Sequence, residues 1–371
     1  MGHRARGTSR RAFLVTVGAG LLAGAEGNKG RNFPPEWRRY ADPTTEADVY
    51  RLTDPAHRAW LPAYYNRAIA RSSGWLVFAG DREGSPQAYR MDLKSGETRL
   101  LTEAEDLDAA TLTLTPDNRE ICFFAGRSLR LVSLATLRER EIYRIAEGWE
   151  RGVGMSVGPD GTHATFVETR QGGSRLRVAP LAAGAVRTVI EAPVEMSHPL
   201  HRPGRAQLLY RRGDDGLWTT DLDGRENHRL KLALGSVACA NWSHDGRVLL
   251  YLNLPEDPHQ LHAIREYAPD TATDKLVSKT SQFASFGANR DTSVFVGASA
   301  NKASPTVLLL LRITQREMTL CEHKAADPAA VAPIFSPDSQ HIYFQSDRDG
   351  KPALYSVHVD RLVEKTDVEA P

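Results

Sequence analysis

Apolar and polar positions alternate along this chain in short bursts, and each burst opens on a polar turn. "TPDNREICFFAG" from Thr115, "GPDGTHATFVE" from Gly158, "SHDGRVLLYLN" from Ser243 and "SPDSQHIYFQSD" from Ser336 share a turn built around an aspartate and an apolar run behind it. "RSSGWLVFAG" from Arg71, "RPGRAQLLYRR" from Arg202 and "NRDTSVFVGAS" from Asn289 follow the same plan. With Ser73, Asp117, Asp160, Gly204, Asp245, Asp291 and Asp338 as markers, the seven turns recur at intervals of 41 to 47 residues. A period in that range marks one supersecondary unit repeated along the chain.

Each unit has a second half of the same period-two character. "QAYRMDLKSGETRLLTEA" (Gln87 to Ala104), "RSLRLVSLATLREREIYRIA" (Arg127 to Ala146) and "DGLWTTDLDGRENHRLKLA" (Asp215 to Ala233) alternate apolar with polar residues. Ser-Gly or Asp-Gly fills the turn in the first and last of these, the pattern of a hairpin. Gly, Pro or Asp interrupts every candidate for a long amphipathic helix. Four short strands per unit and seven units predict an all-β fold, a seven-bladed β-propeller of four-stranded antiparallel blades. Closing the ring leaves no long exposed sheet edge. "DVYRLTD" (Asp48 to Asp54) lies ahead of the first marker and reads like the outer strand of a blade. It is expected to complete the last blade, whose own strands are "HIYFQSD" and "ALYSVHV".

Composition changes this picture little. Over 371 residues, 41% hydrophobic content supplies a large core. Lys plus Arg number 47 against 46 for Asp plus Glu, so no global field draws the protein to nucleic acid. Cys122, Cys239 and Cys321 are far apart, which suggests neither a disulfide framework nor a zinc site. The first thirty residues differ from the rest. "SRRAFLVTVGAGLLAGAEG" joins Arg10 and Arg11 to a short apolar run and resembles a twin-arginine export signal. The run is too short for a membrane span, and a periplasmic or secreted protein is expected. The segments then fall at 1–30 (signal), 31–47 (linker), 48–362 (propeller) and 363–371 (tail).

Several stretches resemble the oligogalacturonate lyases, seven-bladed propeller polysaccharide lyases that act on short pectic fragments. They are "SDRDGKPALY" (Ser346 to Tyr355), "SLATLREREIYRIAEGW" (Ser133 to Trp149), "MDLKSGETRLLTEA" (Met91 to Ala104) and "HPLHRPG" (His198 to Gly204). The resemblance implies β-elimination on a uronate oligosaccharide, in which a base takes the C5 proton once the adjacent carboxylate has been neutralised. It also implies a manganese-type ion held mainly by histidines. In this chain the corresponding positions read Ala330 and Ala332, with Asp327 near a glutamine position, Ser285 near another metal histidine and Cys239 near the base histidine. No metal site and no cofactor is therefore predicted.

Other matched positions keep their chemistry. His198 is the candidate catalytic base, and Arg202 a candidate for the substrate carboxylate; the structural reading is that His198 caps a turn and Arg202 pairs with a blade aspartate. "PAYYNRA" (Pro62 to Ala68) offers Tyr64, Tyr65 and Arg67 to a sugar, and His57, Arg58 and Trp242 complete the candidate substrate-binding set. One of the two tyrosines is expected to be a core aromatic, and Cys239 a small buried side chain. The expected partner is a uronate-containing oligosaccharide. The alternative is a propeller without catalysis that binds a glycan or a protein partner.

Overall fold

The computed structural model describes residues 28–214 and 216–367, and the export signal read at the N-terminus lies, over residues 1–27, outside them. Seven antiparallel sheets are arranged as blades, five of four strands and two of five. The only α-helical turn among the described residues is Pro328–Val331. Chemistry in the marker turns explains why the sequence repeats. In blade two the Thr115 hydroxyl donates to Asp117 Oδ1 (2.7 Å), which also accepts from the backbone of Arg119, while Glu120 N donates back to the Thr115 hydroxyl. Ser243 with Asp245 and Ser336 with Asp338 repeat these bonds in blades five and seven. Such Asx-type bonding makes the turn self-sufficient and starts the next strand in register.

Ring closure follows the expectation from "DVYRLTD". Asp48–Arg51 pairs with Ala353–His358 in the register Val49 with Val357, Tyr50 with Ser356 and Arg51 with Tyr355. The stretch 31–47, read as linker, carries two further strands. Arg38–Ala41 pairs outside Asp48–Arg51 in the last blade, and Asn32–Phe33 pairs with Thr98–Leu100 in the first. The chain start thus grips both blades at the seam. At the other terminus Thr366 donates to Pro337 O and bonds the Ser339 hydroxyl, tying the segment after residue 362 to the last marker turn.

Burial locks each blade to the next. The core divides into seven apolar clusters that join neighbouring blades; Val49, Phe344, Tyr355 and Leu309 meet in one, Phe124, Phe166 and Leu129 in another. A blade cannot bury both faces alone, so stability depends on the complete circle.

Candidate functional site at the channel mouth

The innermost strands are irregular at the end where they begin. Between Arg151 and Met155 in blade three, Ser197 and Leu200 in blade four, Val237 and Ala240 in blade five, and Phe283 and Ser285 in blade six, the pairing register shifts. Extra residues on one strand re-aim side chains at the rim, a device common beside active sites. Two of these bulged residues have left-handed backbones, Gly154 (φ 93°) and His198 (φ 52°), as does Ala332 in blade seven (φ 41°). For a histidine that conformation is uncommon and is held by its surroundings. A Cβ on Gly154 would come within 2.8 Å of the His198 backbone and 3.1 Å of the Tyr65 hydroxyl, so glycine permits this approach.

His198 is half-buried, with Nδ1 3.0 Å from the Ser197 hydroxyl and its ring set edge-on to Tyr65 at 6.1 Å. Desolvation, and after it the positive charge of Arg211, hold its pKa below the ordinary histidine value. The imidazole is therefore neutral near pH 7 and able to accept a proton. Arg211 donates to the carbonyls of Val237 (2.5 Å) and Ala238 (3.2 Å), which fixes it against the bulge of blade five. Arg151, on the inner strand of blade three, is ion-paired to Asp108 at 3.3 Å. Neither arginine stands out in the sequence. The available signal is weak: each lies in a strand and reads there as an ordinary solvated charge.

The stretch "PAYYNRA" crosses the channel. The inner strand of blade one is interrupted between Ala59–Trp60 and the Ile69 to Leu76 bridge, and the residues between swing inward. Leu61 N donates to Gln345 of blade seven, Asn66 donates to Ala110 O of blade two, and the Tyr64 hydroxyl bonds both N and O of Ala240 in blade five. Burial pushes the Tyr64 and Tyr65 hydroxyls far above the usual tyrosine range. Tyr64 is thus a structural brace, whereas Tyr65 reaches His198.

The other candidate residues lie elsewhere. Arg202 is 3% exposed and donates to Gly246 O and Gln207, with an ion pair to Asp270 at 2.9 Å, so it clamps blade four to blade five. It follows the inner strand Met196–His201, separated from His198 by roughly 13 Å of extended chain. Trp242 is buried beneath its guanidinium. Arg67 bonds Thr115 O and Asn118 on the marker-turn side of the ring. Arg58 is exposed beside Asp81, and His57 is half-buried next to it. Cys239 is buried, and desolvation lifts its thiol to about 12, which leaves it inert as a base.

A family model described as oligogalacturonate lyase matches residues 27–175. Relatives along the whole propeller agree: oligogalacturonide lyase of Pectobacterium atrosepticum and oligogalacturonate lyase of Dickeya dadantii are each 24% identical over 89% of this chain and 98% of theirs. This chain resembles the oligogalacturonate lyases. In fold, an oligogalacturonate lyase in complex with manganese superposes with a TM-score of 0.84 at 24% identity, and the Vibrio parahaemolyticus oligogalacturonate lyase with 0.83 at 22%. Each match covers 89% of this chain and 98% of the other, so the whole propeller is shared.

The manganese of that oligogalacturonate lyase raises the question of whether the residues of this chain fit such an ion. Positions 285, 327, 330 and 332 do converge, because the Pro328–Val331 turn packs on the inner strand of blade six. Their chemistry does not suit a metal. Asp327 spends its carboxylate on Ala329 N as a helix cap, the Ser285 hydroxyl donates to Pro328 O, and Gln345 donates to Ala330 O. Ala330 and Ala332 offer no side-chain donor. Among the described residues no group of three or more His, Cys, Asp or Glu could hold an ion.

Proposed function

We propose that the protein acts on uronate-containing oligosaccharides as an oligogalacturonate lyase-like enzyme, by β-elimination at the bulged mouth of the channel. One observation carries the reading: His198, neutral and turned by its left-handed backbone, stands between Tyr65 and Arg211 at the rim. In the proposed reaction Arg211 pairs with the uronate carboxylate and makes the C5 proton more acidic. His198 takes that proton, the C4–C5 double bond forms, and the C4–O4 bond breaks with the leaving oxygen protonated by water. Tyr65 braces the imidazole ring. No step is routed through a metal ion.

A second reading is favoured by the residues at the metal positions: Ala330, Ala332 and Ser285 suit a propeller that binds uronates without cleaving them. The same measurement separates the two. Purified protein is incubated with saturated oligogalacturonates, with and without added manganese, and the absorbance of the new double bond is followed. Signal lost in His198→Ala supports elimination, and saturable binding without signal supports the second reading. Activity that depends wholly on manganese overturns the roles of His198 and Arg211 in this reaction.

A further inference from the structure

On the far side of the Tyr64–Tyr65 crossing, the marker-turn face of the ring holds a second cavity of about 460 Å³. Its size falls in the range of small-molecule sites, roughly 300–1,000 Å³. Arg67, Arg71 and Arg290 line it together with Asn241 and Trp242, with Tyr64 and Tyr65 as its wall toward the bulged mouth, and among the described residues no aspartate or glutamate lines it.

Among the described residues, two of these arginines, Arg67 and Arg71, have no carboxylate hydrogen-bonded or ion-paired to them. Arg67 is largely buried, and the groups that accept its hydrogen bonds are neutral, Thr115 O and the Asn118 side chain. Burial, and then the like charge of Arg71, lower its pKa to about 10. Asp117, the acid whose charge acts on Arg67, already accepts from the Thr115 hydroxyl and Arg119 N. Among the described residues Arg71, half-buried, has no hydrogen-bond or ion-pair partner. Trp242, 8% exposed, adds an Nε1–H with no acceptor. A buried donor left unpaired costs stability unless something else accepts from it.

We infer that this cavity is a second binding site, distinct from the bulged mouth, for a small carboxylated sugar such as a free uronic acid. Arg71 forms the planar two-point pair with the carboxylate, and Arg67 contributes charge from behind. The Asn241 side-chain nitrogen suits a ring hydroxyl as acceptor, its oxygen already taking Trp242 N. Nothing in this assignment depends on elimination at the other mouth.

Calorimetric titration of the full chain with D-galacturonate, D-galactose and inorganic phosphate tests the assignment. Saturable galacturonate binding is expected, weakened about tenfold or more in Arg71→Gln, the loss of a charge-assisted hydrogen bond. Affinity is expected to be retained in His198→Ala, because His198 lies beyond the Tyr65 wall and does not itself line the cavity. Arg71→Lys, which keeps the charge and removes the fork, should fall between wild type and Arg71→Gln, and matched melting curves show that the variants fold. Undiminished binding in Arg71→Gln, loss of binding in His198→Ala, galactose or phosphate binding as well as galacturonate, or no binding at all would each overturn it.

Discussion

The His198 imidazole has its proton affinity set by two neighbours that the sequence holds apart. Burial and the Arg211 charge both disfavour the imidazolium, so the free base persists below the ordinary value of 6.5. If His198 is the base, the acid limb of kcat/KM lies below pH 6.5. Arg211→Gln removes the like charge and moves that limb upward, while it also raises KM through the lost carboxylate partner. A pH–rate profile of both proteins checks this, and an unmoved limb would show that some other group titrates. Which arginine serves the site was not legible from residue types: Arg202 has the matching motif, yet its guanidinium is consumed by Gly246, Gln207 and Asp270. Arg211 lies on the neighbouring strand with no motif at all.

The decisive element is the clasp, where the beginning and end of the chain form one sheet. Val49 is fully buried opposite Val357 and packs with Val359 and Phe344. Val49→Ala is expected to cost about 1–3 kcal/mol by removing buried methyl groups, and Val49→Asp should prevent closure by burying an unpaired charge. Urea unfolding of the alanine variant and limited proteolysis of the aspartate variant measure these effects, with first cleavage expected in the opened last blade. The repeat pattern showed this clasp because an outer-strand sequence stood alone before the first marker. The additional strands Asn32–Phe33 and Arg38–Ala41 were not visible in the same way. Two to four residues without alternation carry no period, and they become strands only because an open sheet edge lies beside them.

Acid sensitivity belongs to the whole ring. Desolvation is the leading cause of a lowered pKa at His198 and His201 in blade four, His323 just after the last strand of blade six and His341 in blade seven. His201 is the extreme case: enclosed beside the Thr165 hydroxyl at 2.6 Å, it is lowered to about 4. The unfolded chain binds these protons below about pH 6.5 and the folded ring does not, so stability is complete above that pH and is lost as pH falls toward 4. Depressed carboxylates such as Asp245, held by the Ser243 hydroxyl, add their losses only at still lower pH. Melting temperature should therefore drop between pH 6.5 and 4.5, and His201→Gln should flatten the curve. A drop of the same size in that variant would assign the sensitivity to other groups.

The number of blades, their four-strand plan and the joint between the two ends of the chain were determined by the sequence alone. Turn chemistry and period-two alternation are local, and the same aspartate-held turn recurs in blades two, five and seven. The functional mouth was decided only by tertiary structure. Bulges in four blades, a left-handed histidine and a loop from blade one that reaches blades two, five and seven bring together residues from distant repeats. Neither pairing register nor positive φ is encoded by residue type at a single position. Both arise when neighbouring blades press the inner strands around one axis.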